Sequence, residues 1–333
     1  MKMKTKTKTV QDIFIQKLKE TLPPSIGIAE EIAELLSISI DSAYRRIRGE
    51  TDLSINEVYL ITKKHGISLD NIFSNLGDTV TFKYTKLTDS EVNFEKYLTQ
   101  LYGHTKMLNS FTDRKLFYVA EELPIFYSFF DKQLAEFKLF YWQRSVLNVP
   151  QRQSQKFEFG IMDPKLVDLA HNCYLEYKKV PSVEIWHEKT IFTVTKQLEF
   201  YLESGVFANK KDALLLIQKV KELSTMLAQN AEDSRKLKSD ASETYQLYSS
   251  EVVLGTNCIF LKVGDTSHAY VSFNTMNSLN TSNSEFCEET EHWVKNIIKK
   301  STLISGVAEK QRYQFFNKLN NAIDNCEQRL NSF

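Results

Sequence analysis

The stretch Ile28–Gly49, IAEEIAELLSISIDSAYRRIRG, constrains this chain more than any other. Ile28, Ile32, Leu35 and Leu36 recur at the three- and four-residue spacing that lays one apolar stripe along a short helix. Ser37-Ile38-Ser39 interrupts that pattern, and the Ser39 hydroxyl is placed to accept from the free N–H groups of a following helix. In that second helix only Ala43 and Ile47 fall on the inward side. Ile40, Asp41, Ser42, Tyr44, Arg45 and Arg48 are left outside. Gly49 then ends the helix, because glycine enters the left-handed region at little steric cost.

The flanking segments supply the other members of a small helical domain. Val10–Leu22 has apolar residues at Val10, Ile13, Phe14, Leu18 and Leu22 and is stopped by Pro23-Pro24. Ser54-Ile55-Asn56-Glu57 is a capping box that opens a helix through Val58, Leu60 and Ile61, closed by Gly66. Ser68 caps a last short helix holding Leu69, Ile72 and Phe73. Five helices, with the second and third tightly joined, define a helix-turn-helix domain over residues 1–75.

These residues resemble the lambda-repressor-like (XRE) helix-turn-helix regulators of bacteria and phages. The resemblance rests on the small Ala33 in helix two, the Leu36-Ser37-Ile38-Ser39 turn, Ala43 and Ile47 in helix three, Gly49, and the ending Gly66-Ile67-Ser68-Leu69-Asp70-Asn71-Ile72-Phe73. It covers about residues 10–75. It implies transcription regulation through double-stranded DNA, with Ile40, Asp41, Ser42, Tyr44, Arg45 and Arg48 as the DNA-binding residues of a recognition helix in the major groove. The sequence departs from that pattern at Ile40, where such proteins often carry glutamine. An apolar contact with a thymine methyl is the replacement expected there.

Charge qualifies this reading. The 42 Lys+Arg balance the 42 Asp+Glu over 333 residues, and residues 1–75 hold eleven of the former against ten of the latter. A chain that coats nucleic acid through bulk charge is thereby disfavoured. What remains is local: Arg45, Arg46 and Arg48 lie beside the recognition face, and Lys2, Lys4, Lys6 and Lys8 form a basic arm. Arg46 could equally be a solvated surface charge.

Length implies a second domain. Residues 76–90 read as a linker, with Val80, Phe82 and Tyr84 alternating as in a strand. Residues 91–333 read as a mostly helical sensing or oligomerisation domain. Helices are expected over Val92–Leu108, Ile125–Leu147, Pro164–Lys179, Ser182–Ser204, Asn209–Asn230, Phe286–Ser301 and Val307–Leu330. Lys115–Ala120 is a strand candidate, Ala231–Glu243 a loop, and Asn277–Ser284 an Asn/Ser-rich loop. Leu247–Leu254, Asn257–Val263 and Ala269–Phe273 form an antiparallel meander near 247–274. The fold class expected is therefore mainly α with one small antiparallel sheet.

Two apolar stripes, Ala213/Leu216/Val220/Leu223/Leu227 and Phe316/Leu319/Ile323/Cys326/Leu330, suit either a homodimer seam or ordinary helix packing. The aromatic block Phe126–Trp142 suits either a core or an apolar effector pocket. Cys173, Cys258, Cys287 and Cys326 share no metal-binding spacing and read as buried thiols. His187-Glu188-Lys189-Thr190-Ile191 begins like a zinc-protease helix but lacks the second histidine. No glycine-rich phosphate loop and no GxSxG elbow occur, so an enzyme, a metal and a cofactor are not expected. No apolar run reaches the roughly 18–20 residues that span a bilayer, and the chain is expected to be cytoplasmic. The rival reading is a protein-interaction scaffold with a helix-turn-helix fold that never reads DNA.

Overall fold

Helix α1 (Val10–Thr21) opens on a reciprocal cap: the Thr9 hydroxyl accepts from Asp12 N, and the Asp12 carboxylate accepts from Thr9 N. The same device, Ser54 with Glu57, opens α4 (Ile55–His65). Between them stand α2 (Ile28–Leu36) and α3 (Ile40–Ile47). The computed structural model describes residues 9–22, 26–67, 69, 79–87, 91–239 and 244–333. The chain divides into two units, Met1–Thr81 and Phe82–Phe333. Phe14, Ile15 and Leu18 of α1 form the first unit's core with Ile32 and Ala33 of α2, Ala43 of α3 and Ile61 of α4. Leu69 packs at its edge. The basic arm, Pro23-Pro24 and the rest of the expected fifth helix lie outside the described residues.

The second unit corrects the expected fold class. It is mixed α/β, built on a seven-stranded mixed sheet rather than a small antiparallel one. Its strands are β1 (Arg114–Ala120), β2 (Ser182–Trp186), β3 (Tyr245–Ser250), β4 (Cys258–Val263), β5 (Thr266–Phe273), β6 (Asn277–Thr281) and β7 (Ser301–Leu303), in the order β6-β5-β4-β1-β2-β3-β7. β1, β2 and β3 are parallel neighbours; β4, β5, β6 and β7 join antiparallel. Of the expected meander, Asn257–Val263 and Ala269–Phe273 do pair antiparallel, as β4 and β5. Leu247–Leu254 instead supplies part of β3, which lies between β2 and β7, and the third strand of the antiparallel flank is β6, from the segment expected as an Asn/Ser-rich loop.

Three strands were hidden for separate reasons. β2 is buried along its whole length, as a parallel strand covered on both faces must be, so it lacks polar/apolar alternation and merges with the helix after it. β6 has the composition of a loop, NSLNT, and forms through pairing with β5 rather than through intrinsic strand preference. β7 is three residues long. Lys83, in the expected linker, also exchanges backbone hydrogen bonds with Asn280 (2.7 and 2.8 Å).

The two faces of the sheet differ. Leu116, Tyr118 and Ala120 of β1, Trp186 of β2, Tyr245 and Leu247 of β3 and Leu261 and Val263 of β4 enter the main core. Above that face lie α5 (Glu91–Leu108), α6 (Lys132–Tyr141), α8 (Pro164–Tyr177), α9 (Phe192–Glu203), α10 (Lys210–Asp233) and α12 (Glu309–Ser332), α7 being the single turn Pro150–Gln153. The segment expected as one helix over Ile125–Leu147 is a 3₁₀ turn (Ile125–Phe129), then α6, then a π turn (Trp142–Val146). The opposite face carries Val119, Ile185, Phe260 and Ala269 beneath α11 (Ser284–Lys299), through Cys287, Val294 and Ile297.

Glu184 of β2 faces the main core and is fully buried. Its carboxylate accepts from the Tyr127 and Tyr177 hydroxyls (2.8 and 2.6 Å), Ser182 Oγ (3.2 Å) and Trp186 Nε1 (3.0 Å). A buried carboxylate persists where donors replace its lost hydration. Burial, and then the Glu184 charge, push the Tyr127 and Tyr177 hydroxyls well above their usual range, so both remain donors.

Both apolar stripes face inward. Ala213, Leu216, Val220, Leu223 and Leu227 of α10, and Phe316, Leu319, Ile323, Cys326 and Leu330 of α12, are all buried in the unit's own core. Of the two readings of these stripes, ordinary helix packing is the one their burial matches, which leaves neither free as a dimer seam. All four cysteines are buried thiols. No described helix is long and apolar enough to cross a membrane.

Candidate nucleic-acid interface

The turn that aims α3 is made by backbone. Ser37 adopts φ +53°, Ser37 N donates to Glu34 O, and Ile38 N returns to Ala33 O at 3.0 Å. This is the paired closure a left-handed residue permits at a helix end. Ile38 turns inward and packs on the first core. One residue later Ser39 Oγ accepts from Ser42 N at 3.2 Å and starts α3. The same closure ends α3: Gly49 at φ +69° donates to Arg46 O, and Glu50 N donates to Arg45 O at 2.8 Å.

Ala43 is fully buried and Ile47 partly so, packed on the core. On the other side Ile40 is 49% and Tyr44 43% exposed. Asp41, Arg45 and Arg48 are exposed and Ser42 half-buried. The six expected DNA-binding residues thus sit on α3 and its C-cap, five in the helix and Arg48 just beyond it.

Two contacts that sequence reading missed hold this helix in place, and a third ties its neighbours together. Gln11 of α1 reaches the chain after α3: its Nε2 donates to Arg46 O (2.8 Å) and Thr51 O (2.9 Å), and its Oε1 accepts from Leu53 N (2.8 Å). Arg46 is no solvated charge. Its guanidinium donates twice to Glu57 Oε1 (3.1 and 2.8 Å) and once to Ser42 O, with a side chain only 17% exposed. It ties α3 to the first turn of α4. Glu31 of α2 meets Lys64 Nζ at 2.7 Å and His65 Nε2 at 3.0 Å, joining α2 to the end of α4. The hydrogen bond from Lys64 holds the Glu31 carboxyl below its usual range against the opposing effect of burial.

The outer face is close to charge balance. Glu50 takes Arg48 Nε at 2.6 Å and Nη2 at 3.1 Å, and Arg45 Nε lies 3.9 Å away. The Arg48 hydrogen bond holds the Glu50 carboxyl below its ordinary range. Exposed pairs of this kind are weak and screened by solvent, so an incoming anion can exchange with Glu50 easily. Glu50 was invisible as a partner because its approach depends on the left-handed Gly49.

The zinc-protease fragment has no helix under it: His187 follows β2, and Glu188–Thr190 form a turn. Among the described residues no cluster of three His, Cys, Asp or Glu side chains is arranged to hold a metal. No protein-family model, curated protein or solved structure matches the chain.

Proposed function

We propose that this chain is a cytoplasmic, sequence-specific transcriptional regulator of the bacterial lambda-repressor-like type. In this reading α3 enters the major groove of double-stranded DNA, the protein acts as a homodimer, and the second unit senses an effector or carries the dimer contact. One observation supports it above the others: α3 is anchored by Ala43, Arg46 and Gln11 while Ile40, Asp41, Tyr44 and Arg45 stay outside. A helix held on one side by its neighbours and bare on the other is what groove docking requires. Arg45 offers two donors to guanine N7 and O6, Ile40 and Tyr44 offer apolar contact to thymine methyls, and Arg48 serves phosphate.

A gel shift over a salt series tests this. Binding that weakens steeply with salt and discriminates between duplexes supports it; salt-independent retention of every duplex contradicts it. The second reading, a protein-docking helix-turn-helix, draws on the exposed Ile40 and Tyr44 and on Ile55 and Tyr59 of α4, together with the charge balance set by Glu50.

A further inference from the structure

The carboxyl end of β1 is where the chain order of the sheet reverses, with β2 on one side and antiparallel β4 on the other. Crevices outside strand ends at such switch points are where open α/β sheets take ligands. A chamber of about 100 Å³ lies there. Glu122, two residues past β1, lines it, as do Asn257 before β4 and Lys138 and Trp142 from the α6 region. The side chain of Asn257 fixes the strand exit, its Oδ1 accepting from Glu121 N (2.9 Å) and Glu122 N (3.1 Å).

Lys138 is the unusual wall. It is 8% exposed, its Nζ donates to Gln197 Oε1 at 3.2 Å, and it sits 5.5 and 5.6 Å from the Tyr141 and Trp142 ring centres. Neither Lys138 nor Glu122 meets an opposite charge within 4 Å among the described residues. Buried charges are ordinarily paired, since leaving water is expensive. Here the buried Lys138 ammonium and the half-buried Glu122 carboxyl border one cavity, each acting on the other's charge but not in contact within 4 Å. Burial pulls the Lys138 ammonium down to about 8, still charged at neutral pH, and pushes the Glu122 carboxyl up.

A second chamber of about 130 Å³ shares Tyr97, Leu101, Phe126, Ile259, Tyr270 and Asn277 with the first, and is closed by Leu108, Leu116 and Leu261. A cleft of about 930 Å³ shares the wall residues Thr275, Met276 and Asn277 with the charged chamber. Each chamber has room for several waters, at about 10–15 Å³ of such space per water.

We propose that these chambers bind a free α-amino acid with an apolar side chain, its carboxylate on Lys138, its ammonium on Glu122, and its side chain in the apolar chamber. A zwitterion placed between them meets both charges at contact distance at once, which neither a fatty acid nor an amine does. The aromatic block then has two roles: Phe137 and Phe140 fill the core, while Phe126 and Trp142 line the site.

The test is isothermal titration of the full chain with L-leucine, isocaproate and isoamylamine, which carry both charges, the carboxylate alone and the ammonium alone. Leucine is expected to bind at least about tenfold tighter than either, as one lost charge-assisted hydrogen bond implies. Lys138→Met, which keeps the side-chain volume, should abolish the preference for leucine over isoamylamine, and Glu122→Gln the preference over isocaproate. Circular dichroism checks that both variants fold. No heat with leucine at millimolar concentration, equal binding of isocaproate, or unchanged leucine affinity in folded Lys138→Met overturns the proposal. Protein and amino acid alone are measured, so the result stands apart from whether α3 reads DNA.

Discussion

At the scale of single residues, the pairs Glu50 makes set the electrostatics of the outer face of α3. Glu50→Gln removes the carboxylate that occupies Arg48 and approaches Arg45. DNA affinity is expected to rise by a similar factor on every sequence, read by fluorescence anisotropy on specific and scrambled duplexes. A rise confined to one sequence would mean that Glu50 takes part in base choice. Arg45→Ala is expected to lose about 1–3 kcal/mol and to relax preference at one base pair. Uniform loss on all duplexes would reduce Arg45 to a backbone contact. In the second unit Glu184→Ala strands the Tyr127, Tyr177 and Trp186 donors and is expected to destabilise by several kcal/mol in urea unfolding, at about 1–3 kcal/mol per donor left unpaired. A change below about 1 kcal/mol would show that water enters and satisfies them.

At the scale of elements, legibility in the sequence followed the physics of each signal. Caps are local, so Ser39, Ser54-Glu57, Gly49 and Gly66 were readable and stand as written. Helix periodicity carried α2, α3, α8 and α12 to within a few residues. What failed was β2, whose burial on both faces erases the period of two, and β6, whose Asn and Ser form a strand only because β5 is beside them. Gln11, Glu50 and the Arg46–Glu57 pair were hidden because they join residues brought together by the fold. The charged chamber was equally hidden, since Glu122 and Lys138 come from different elements. Lys138 carries an element-scale prediction. Its buried ammonium loses its proton near 8, while the unfolded chain holds one to about 10.4. The folded state therefore gains relative to the unfolded as pH rises through that window. Lys138→Met, free of this penalty, should exceed the wild type by about 3 kcal/mol near pH 7, a gap that closes between pH 8 and 10. The difference of the two proteins is the observable, because the buried thiols, raised to about 12 at Cys173, Cys258 and Cys326, lower the stability of both as pH climbs. A gap independent of pH would show that Lys138 is hydrated.

At the scale of the whole molecule, the zero net charge and the Glu50 pairs on α3 mean that, under the proposed function, a single copy makes a weak electrostatic contact with DNA. Two heads on half-sites about one helical turn (roughly 34 Å) apart double the phosphate contacts and multiply the base contacts. A dimer is therefore expected from light scattering on the full chain. Its contact must lie elsewhere than the α10 and α12 stripes, which are consumed by their own core. The central claim, that this is a sequence-reading protein, is tested most directly by incubating the full chain with fragments of its own genome, sequencing those retained, and titrating the recovered site against a scrambled duplex across salt. The account predicts a recurrent site bound about 10³-fold or more tighter than the scrambled duplex, with affinity falling linearly on logarithmic salt axes. Retention of no recurrent site, with equal and salt-insensitive binding to both duplexes, would contradict it and leave α3 as a protein-docking surface.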